Sequence, residues 1–347
     1  MRAASSIILA PFVPLYGAVT ATHRALYKRG LLHTTDLPTP VISIGNITAG
    51  GTGKTPLVEF TARHASALGR RTCILTRGYG RKDPNARVVV SDGNQLLADA
   101  DIAGDEPVML ASNLKGIAAV ISDSNRVAAA KWAHDNLNTE IFILDDGFQH
   151  FRISRDLNIV TIDATNPWGN GHLLPRGLLR EHPRNLRRSD CIVITRADQA
   201  NNIDELKQEI NAFSGGCPLF TSTMKVGRWR SCIDQELSTK PAEPVGVFCG
   251  IANPKSFLRA LKNQSIDPVF VSEFPDHHRY SQLDLDQIVA SANRNGAQSL
   301  VTTAKDAVKL KNLKLTLPCY VIDIEIQIND VASFLKLIQT AVDVPKR

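Results

Sequence analysis

The chain of 347 residues is 43% hydrophobic and carries a formal charge of +6, with a pI near 9.0. Length and apolar content of this order bury a large core and accommodate two domains of soluble type. The positive balance favours anionic partners, yet the basic residues are dispersed and no aromatic-interleaved basic patch occurs; nucleic acid is set aside, and nucleotide, phosphorylated substrate and acidic membrane surface remain.

In chain order, the first element is an apolar segment from Ile7 to Val19, followed by His23, Arg24, Lys28 and Arg29. Pro11 and Pro14 break it, and it is too short to read as a spanning helix, while a cleaved signal peptide would have a stronger positive start. Residues 1–30 therefore read as a helix lying in the membrane interface, its apolar face among the headgroups and its basic end on anionic lipid. A helix that covers the protein's own core is the alternative.

The stretch around which the chain is organised runs from Val41 to Leu57, VISIGNITAGGTGKTPL. Val41, Ile42 and Ile44 make a buried parallel strand. It stops at Gly50, Gly51 and Gly53, which permit a sharp turn and close approach of a ligand before a helix begins. The first N–H groups of a helix lack partners and its dipole adds positive potential, so such a loop is an anion site. Thr48, Ala49, Gly50, Gly51, Thr52, Gly53, Lys54 and Thr55 would cradle a nucleoside triphosphate, with Lys54 reaching its β- and γ-phosphates and the Thr55 hydroxyl on Mg²⁺. The general phosphate-loop pattern has glycine where this chain has Thr48, and Gly50 and Gly51 take over its conformational role.

Pro56 to Ala67 reads as a helix, Arg71 to Leu75 as a strand, TRGYGR as a loop carrying Arg77, Tyr79 and Arg81, and Arg87 to Ser91 as a short strand. In AGDEPVML, Asp105 and Glu106 stand at a helix start, where acidic residues complement the dipole; position alone makes them capping residues. Ile117 to Ser122 is a strand and Val127 to Asn136 a helix, with Asp123 and Arg126 at the strand-to-helix edge where ligands bind in open α/β sheets. In IFILDDGFQH, Ile141 to Leu144 make a central strand. Asp145 and Asp146 follow at its carboxyl end, where a phosphate-loop protein places the acidic group of its Mg²⁺ shell.

Asn158 to Asp163 repeats the strand pattern, and the loop PWGNGHLLPRGLLREHPRNLRR then mixes Trp168 and leucines with arginines, suiting an amphiphilic anionic substrate. Cys191 to Thr195 is a strand ending in TRAD, where guanine-specific proteins carry Asn-Lys-x-Asp. Alternating strands and helices to this point imply an α/β, doubly wound, mostly parallel sheet over residues 31–220. Around Phe220 to Ile233 the pattern changes to two short strand-like pieces about Gly227, read as a two-stranded hinge within 221–244. Residues 245–347 read as a smaller α/β domain with strands VGVFCG, Asp267 to Ser272, Ser299 to Thr303 and CYVIDIEI, and helices Pro254 to Asn263, Leu283 to Asn293 and Val331 to Val342. Inside it, the cluster Asp276, His277 and His278 is either surface decoration or a proton relay swung across an interdomain cleft. The six cysteines lie far apart without C-x2-C spacing, which fits a reducing compartment and neither zinc nor disulfides.

The pieces GNITAGGTGKTP, RGYGR, GDEP, DDGFQH, LLPRGLLRE, FPDHH and TAKDAVKL, in order from residue 45 to 310, together resemble the tetraacyldisaccharide 4′-kinase family of lipid A biosynthesis. Thr48 looks like that family's form of the loop, whereas Ala304 stands where the family is expected to have Glu. The resemblance implies transfer of the γ-phosphoryl of ATP, with Mg²⁺, to the 4′-hydroxyl of a tetraacylated glucosamine disaccharide 1-phosphate, giving lipid IVA. It places the enzyme at the cytoplasmic face of the bacterial inner membrane, peripheral or monotopic; the sequence does not reveal the oligomeric state, and a monomer is the expectation. Carried over by motif, Lys54 and Thr55 hold phosphate and metal, Asp145 and Asp146 the metal site, and Asp105 is the base, supported by His277, in place of a capping role. Arg126, Arg176, Arg180 and Glu181 are the candidates for the sugar and its 1-phosphate. A phosphate-loop ligase and a GTP-dependent regulatory or metal-delivery protein are the alternatives; the absence of Asn-Lys-x-Asp weighs against the second.

Overall fold

Aliphatic and β-branched runs supply the strands, and the alternation of their side chains sends one set to each face of a single large sheet. The structure, a computed structural model, describes residues 11–232 and 237–343. Helix α1 (Phe12–Lys28) precedes β1 (Val41–Asn46), α2 (Lys54–Ala67), β2 (Thr72–Thr76) and β3 (Val88–Ser91). A short α3 (Ala100–Ala103) leads into α4 (Asp105–Asn113), then β4 (Ala118–Ser122), α5 (Arg126–Leu137), β5 (Ile141–Asp145) and β6 (Leu157–Asp163). Strand β7 (Cys191–Thr195), α6 (Ile203–Ser214), β8 (Leu219–Ser231) and the small β9 (Leu237–Ser238) follow. The chain continues through β10 (Val245–Cys249), α7 (Pro254–Lys262), β11 (Phe270–Glu273), α8 (Gln282–Arg294) and β12 (Ser299–Thr302), and ends with α9 (Ala304–Ala307), β13 (Cys319–Ile328) and α10 (Val331–Asp343).

The strands lie in the order β11, β10, β12, β13, β8, β7, β6, β1, β5, β2, β4, β3, with β9 beside β8. All pairings from β4 to β8 and from β11 to β13 are parallel, and only β3, β9 and the β8/β13 pair run antiparallel. This is the expected α/β, mostly parallel sheet. Strand β1 sits between β5 and β6, buried on both faces. Ile42, Ile44 and Ile143 point to the α2 face with Leu57, and Val41, Phe142 and Leu144 to the α5 face with Ala129 and Ala133.

Three expectations change. The two strand-like pieces about Gly227 are one 13-residue strand, β8, whose far partner is β13, paired antiparallel from Ser222↔Ile328 to Ser231↔Tyr320. Gly227 lies within this strand, and a Cβ there would stand 3.0 Å from the Glu325 carboxylate. The last helix, expected in the smaller domain, packs on the first half instead: Phe334 of α10 meets Phe220 and Phe60, with ring centroids 5.2 and 6.1 Å apart. Strand β13 runs back along β8 and delivers the chain there. Helix α6 is an addition to the expected elements; Asn202 caps it by accepting from the Glu205 N–H at 3.2 Å and Gly215 ends it in the left-handed region.

Helix α1 docks by one stripe, with the Tyr16 hydroxyl donating to the Arg180 carbonyl at 3.1 Å and Tyr27 against Phe151 at 5.6 Å. Phe12, Leu15 and Val19, on another stripe, are 54%, 63% and 59% exposed. Residues 1–10 of the expected interfacial segment lie outside the described residues. Among the described residues, no helix is long and apolar enough to cross a membrane.

Candidate active site

The loop after β1 begins α2 at Gly53, in the left-handed region at φ 75°. A Cβ there would stand 2.8 Å from Met224 Cε and 3.2 Å from Thr195 Cγ2, and the left-handed backbone itself favours glycine. Neighbours brace the loop from outside. The Ala49 N–H donates to the Leu178 carbonyl at 2.6 Å, Asn46 Nδ2 to Thr52 Oγ1 at 2.9 Å, and Thr195 Oγ1 to the Thr52 carbonyl at 2.9 Å. Arg196 donates to the Gly51 carbonyl at 3.2 Å and pairs with Asp163. The TRAD sequence thus braces the phosphate loop through Thr195 and Arg196. With these carbonyls tied outward, the start of α2 offers its N–H groups and Lys54 to an anion.

Asp145 ends β5 directly opposite Ile44 of β1, which puts its carboxylate beside the phosphate loop. Its Oδ2 accepts from Thr76 Oγ1 at 3.0 Å. Burial, and then the Asp146 charge, push its carboxyl up to about 6. Asp146 turns at φ 52° and meets different company. Arg180 Nη1 donates to both its oxygens at 2.8 and 2.6 Å, and Lys54 Nζ lies 3.4 Å away. Burial raises this carboxyl, but Lys54 and Arg180 outweigh it and hold it down at about 2. Arg126, buried, donates to the Asp146 carbonyl at 3.3 Å.

Asp105 is the first residue of α4 and is 7% exposed. Gly104, at φ 94°, packs its α-carbon so closely on the Tyr79 carbonyl that a Cβ would come within 2.8 Å, and this fixes where α4 starts. His277 reaches Asp105 from the other half of the molecule, its Nδ1 2.9 and 3.2 Å from the two carboxylate oxygens. His278 turns the other way, stacked on Phe274 at 4.5 Å with Nε2 3.3 Å from Asp284. Beside His277, Lys305 Nζ stands 3.2 Å from Nε2, 3.0 Å from Asp276 Oδ1 and 3.9 Å from Asp105 Oδ2. Burial opposes the charge on Lys305, but Glu106, Asp105 and Asp276 outweigh it and raise its pKa.

A cleft of about 2000 Å³ opens here; Asp105 and His278 are not among its lining residues, and Asp105 meets it through His277. Residues 48–55, Asp145 and Asp146 line one side, and Asp276, His277 and Lys305 the other. Such a volume holds a nucleotide and part of a second substrate. Chemically, it sets an anion cradle and a cation-seeking carboxylate opposite a carboxylate and imidazole able to move a proton.

The sequence profile of tetraacyldisaccharide-1-P 4′-kinase matches residues 5–343. The chain belongs to this family. The tetraacyldisaccharide 4′-kinase of Desulfotalea psychrophila is 38% identical over 312 residues, 89% of each chain. That of Syntrophus aciditrophicus is 38% identical over 349 residues, 97% of this chain and 93% of its own. The crystal structure of LpxK from Aquifex aeolicus in complex with ATP has a TM-score of 0.81 and 31% identity, over 97% of this chain and 99% of that one.

Against the site residues expected for a tetraacyldisaccharide 4′-kinase, the structure brings together residues 48–55, Asp105, Arg126, Asp145, Asp146, Arg180 and His277. Two others stay apart. Glu181 is buried away from the cleft and fully engaged, accepting from Arg188 at 2.9 and 3.0 Å, Gln149 at 2.9 Å and Asn185 at 3.0 Å, so it anchors its loop. Arg176 does not line the cleft; its carbonyl accepts from Asn170 Nδ2 at 3.2 Å. Sequence reasoning missed Thr76 and Glu106 as neighbours of the acid groups, and it left Lys305 without a role although TAKDAVKL lay in view.

Proposed function

We propose that this chain transfers the γ-phosphoryl of ATP to the 4′-hydroxyl of a tetraacylated glucosamine disaccharide 1-phosphate, giving lipid IVA. One observation carries the reading: His277, which holds the buried Asp105 carboxylate, faces a braced phosphate loop across one cleft. A sugar hydroxyl needs a proton acceptor as it attacks, and Asp105 supplies it. The O4′–P bond forms as the bond from P to the β-phosphate oxygen breaks; the hydroxyl proton goes to Asp105 and ADP leaves. Lys54 and the N–H groups of α2 neutralise the phosphates in a reaction whose loose transition state asks mainly for positioning and charge.

Asp145 and the Thr55 hydroxyl fit one Mg²⁺. Asp145 is a buried carboxylate whose charge burial and a like-charged neighbour disfavour, whereas Asp146 already has Lys54 and Arg180. Bound there, the ion would neutralise phosphate oxygens. Arg126 and Arg180 line the cleft beside it and suit an anionic substrate.

Two lobes support closure around the substrates: residues 31–220 with α10 on one side and residues 245–318 on the other, joined by the β8/β13 ribbon. Closure would exclude water and limit hydrolysis of ATP. Helix α1 carries exposed Phe12, Leu15 and Val19 and, with Arg24 turned to Glu181, a basic end at Lys28 and Arg29, which suits the headgroup region on the cytoplasmic face of the inner membrane. The assay is γ-labelled ATP with the acylated disaccharide: label in the lipid fraction supports the kinase, and hydrolysis alone rejects it. Asp105→Ala and His277→Ala should each lower kcat by about 10² to 10⁴ with a milder change in KM. Wild-type rates for Asp105→Ala would remove the base assignment.

A further inference from the structure

We propose that Lys305 is a positioning residue for the reaction, an ammonium that locks His277 in the tautomer its carboxylate partner requires. The inference rests on the reading of Asp105 and His277 as the base pair. Lys305 Nζ lies 3.2 Å from His277 Nε2. An ammonium has three donors and no acceptor, so a hydrogen bond between the two makes Nε2 the acceptor, although Asp276 Oδ2 also lies 3.8 Å from Nε2. The ring proton then sits on Nδ1, where it is donated to Asp105 at 2.9 Å. The alternative tautomer would turn an N–H at Nε2 against a charged donor and present Asp105 with a bare lone pair.

The placement of Lys305 is built into the fold. Thr303 and Asp306 cap the first turn of α9 reciprocally, with the Asp306 N–H donating to Thr303 Oγ1 at 3.1 Å and the Thr303 hydroxyl to Asp306 Oδ2 at 2.6 Å. That same Oδ2 accepts from the Gly250 N–H at 3.0 Å, which ties the turn to the end of β10. The ammonium is then caught between two elements. Asp276 on the histidine loop lies 3.0 Å away, and Glu106 and Asp105 on α4 lie 3.5 and 3.9 Å away. His277 is held from its backbone as well, at φ 62° with its N–H donating to Asp276 Oδ1 at 3.0 Å.

The functional consequence is that the imidazole donates from Nδ1 to Asp105. A second proton on His277 would put a cation against Lys305, and the resulting imidazolium would make Asp105 a weaker base. The groups facing Lys305 are Asp105 and Glu106 from α4 and Asp276 and His277 from the loop. Without the ammonium, the Asp105 and Asp276 carboxylates would remain at the ring and favour its protonation.

The test combines Lys305→Met, Lys305→Arg and Lys305→Met on a His277→Ala background, each assayed for lipid phosphorylation across pH 5.5–9, with ring ¹⁵N spectra of the wild-type protein. Lys305→Met should lose about 10- to 100-fold in kcat, the scale seen when a group that orients a histidine is removed, with little change in the KM for ATP. Its acidic limb should move up by about one pH unit, and Lys305→Arg should restore the wild-type limb. On the His277→Ala background the same substitution should cost less than about twofold, because the residue acts through the ring. The wild-type spectrum should show Nδ1 protonated and Nε2 bare. A full loss on the His277→Ala background would mean that Lys305 touches nucleotide or sugar itself, and would overturn the proposal. An Nε2-protonated ring in the wild type, or an unchanged kcat in Lys305→Met, would overturn it too. Should Asp105→Ala instead keep the wild-type rate, the base-pair reading fails, while the ¹⁵N spectrum still decides the contact between Lys305 and His277.

Discussion

Asp145→Asn should make the nucleotide-free protein more stable while abolishing its activity. The carboxyl of Asp145 moves from 3.8 to about 6 on folding because burial and Asp146 penalise its charge. A tenfold change in acidity is worth about 1.4 kcal/mol, so ionising Asp145 costs the fold about 3 kcal/mol at neutral pH. The sign follows from the raised value. Below about pH 3 the group is neutral folded and unfolded, and Asn gains nothing. As pH rises the unfolded chain ionises first, and the penalty grows until the folded group has titrated near 6, above which it is constant. The Asn carbonyl still accepts from Thr76, so no hydrogen bond is lost. Urea denaturation of both proteins without Mg²⁺, at steps from pH 4 to pH 8, should give a stability difference that opens between pH 4 and 6.5 in favour of the variant. With Mg²⁺ and nucleotide present the order should reverse, since only the wild type gains stability by binding both. A variant less stable than the wild type at pH 8 without Mg²⁺, or a difference independent of pH, would refute the idea that this carboxylate is built to hold a cation.

Gly53→Ala should weaken nucleotide binding more than tenfold, because the left-handed backbone costs about 1–2 kcal/mol and the new methyl must displace Met224; titration with a fluorescent ATP analogue measures it, and wild-type affinity would sink the account of the loop. Phe334→Ala should destabilise the protein by about 3–5 kcal/mol, as it removes a fully buried ring packed on Phe220 and Phe60. A thermal melt unchanged by that substitution would show that α10 is not part of the first lobe's core. Deleting residues 1–25 should abolish sedimentation with vesicles containing anionic lipid, and equal pelleting of the truncated protein would reject the interfacial role of α1.

What the sequence by itself determined is whatever is encoded within one short stretch of backbone. Val41 to Asn46 must be a buried strand because its residues are apolar on both faces, and Gly53 before Lys54 and Thr55 makes the turn that starts α2. Asp145 and Asp146 were legible for the same reason, as charges placed directly after a buried apolar run. Even α6 is written in its caps, Asn202 and Gly215. Tertiary structure alone decided which of these groups meet. Asp105 and His277 are 172 residues apart, and the choice of His277 over His278 depends on one left-handed residue and on Phe274 taking the other ring. Glu181 looked available in sequence and is consumed by Arg188, Gln149 and Asn185, because the supply of donors around a buried carboxylate is a property of the packed neighbourhood. The path of β13 along β8, which carries α10 back to the first lobe, was hidden likewise: periodicity says which face of an element is buried, and only packing says against what.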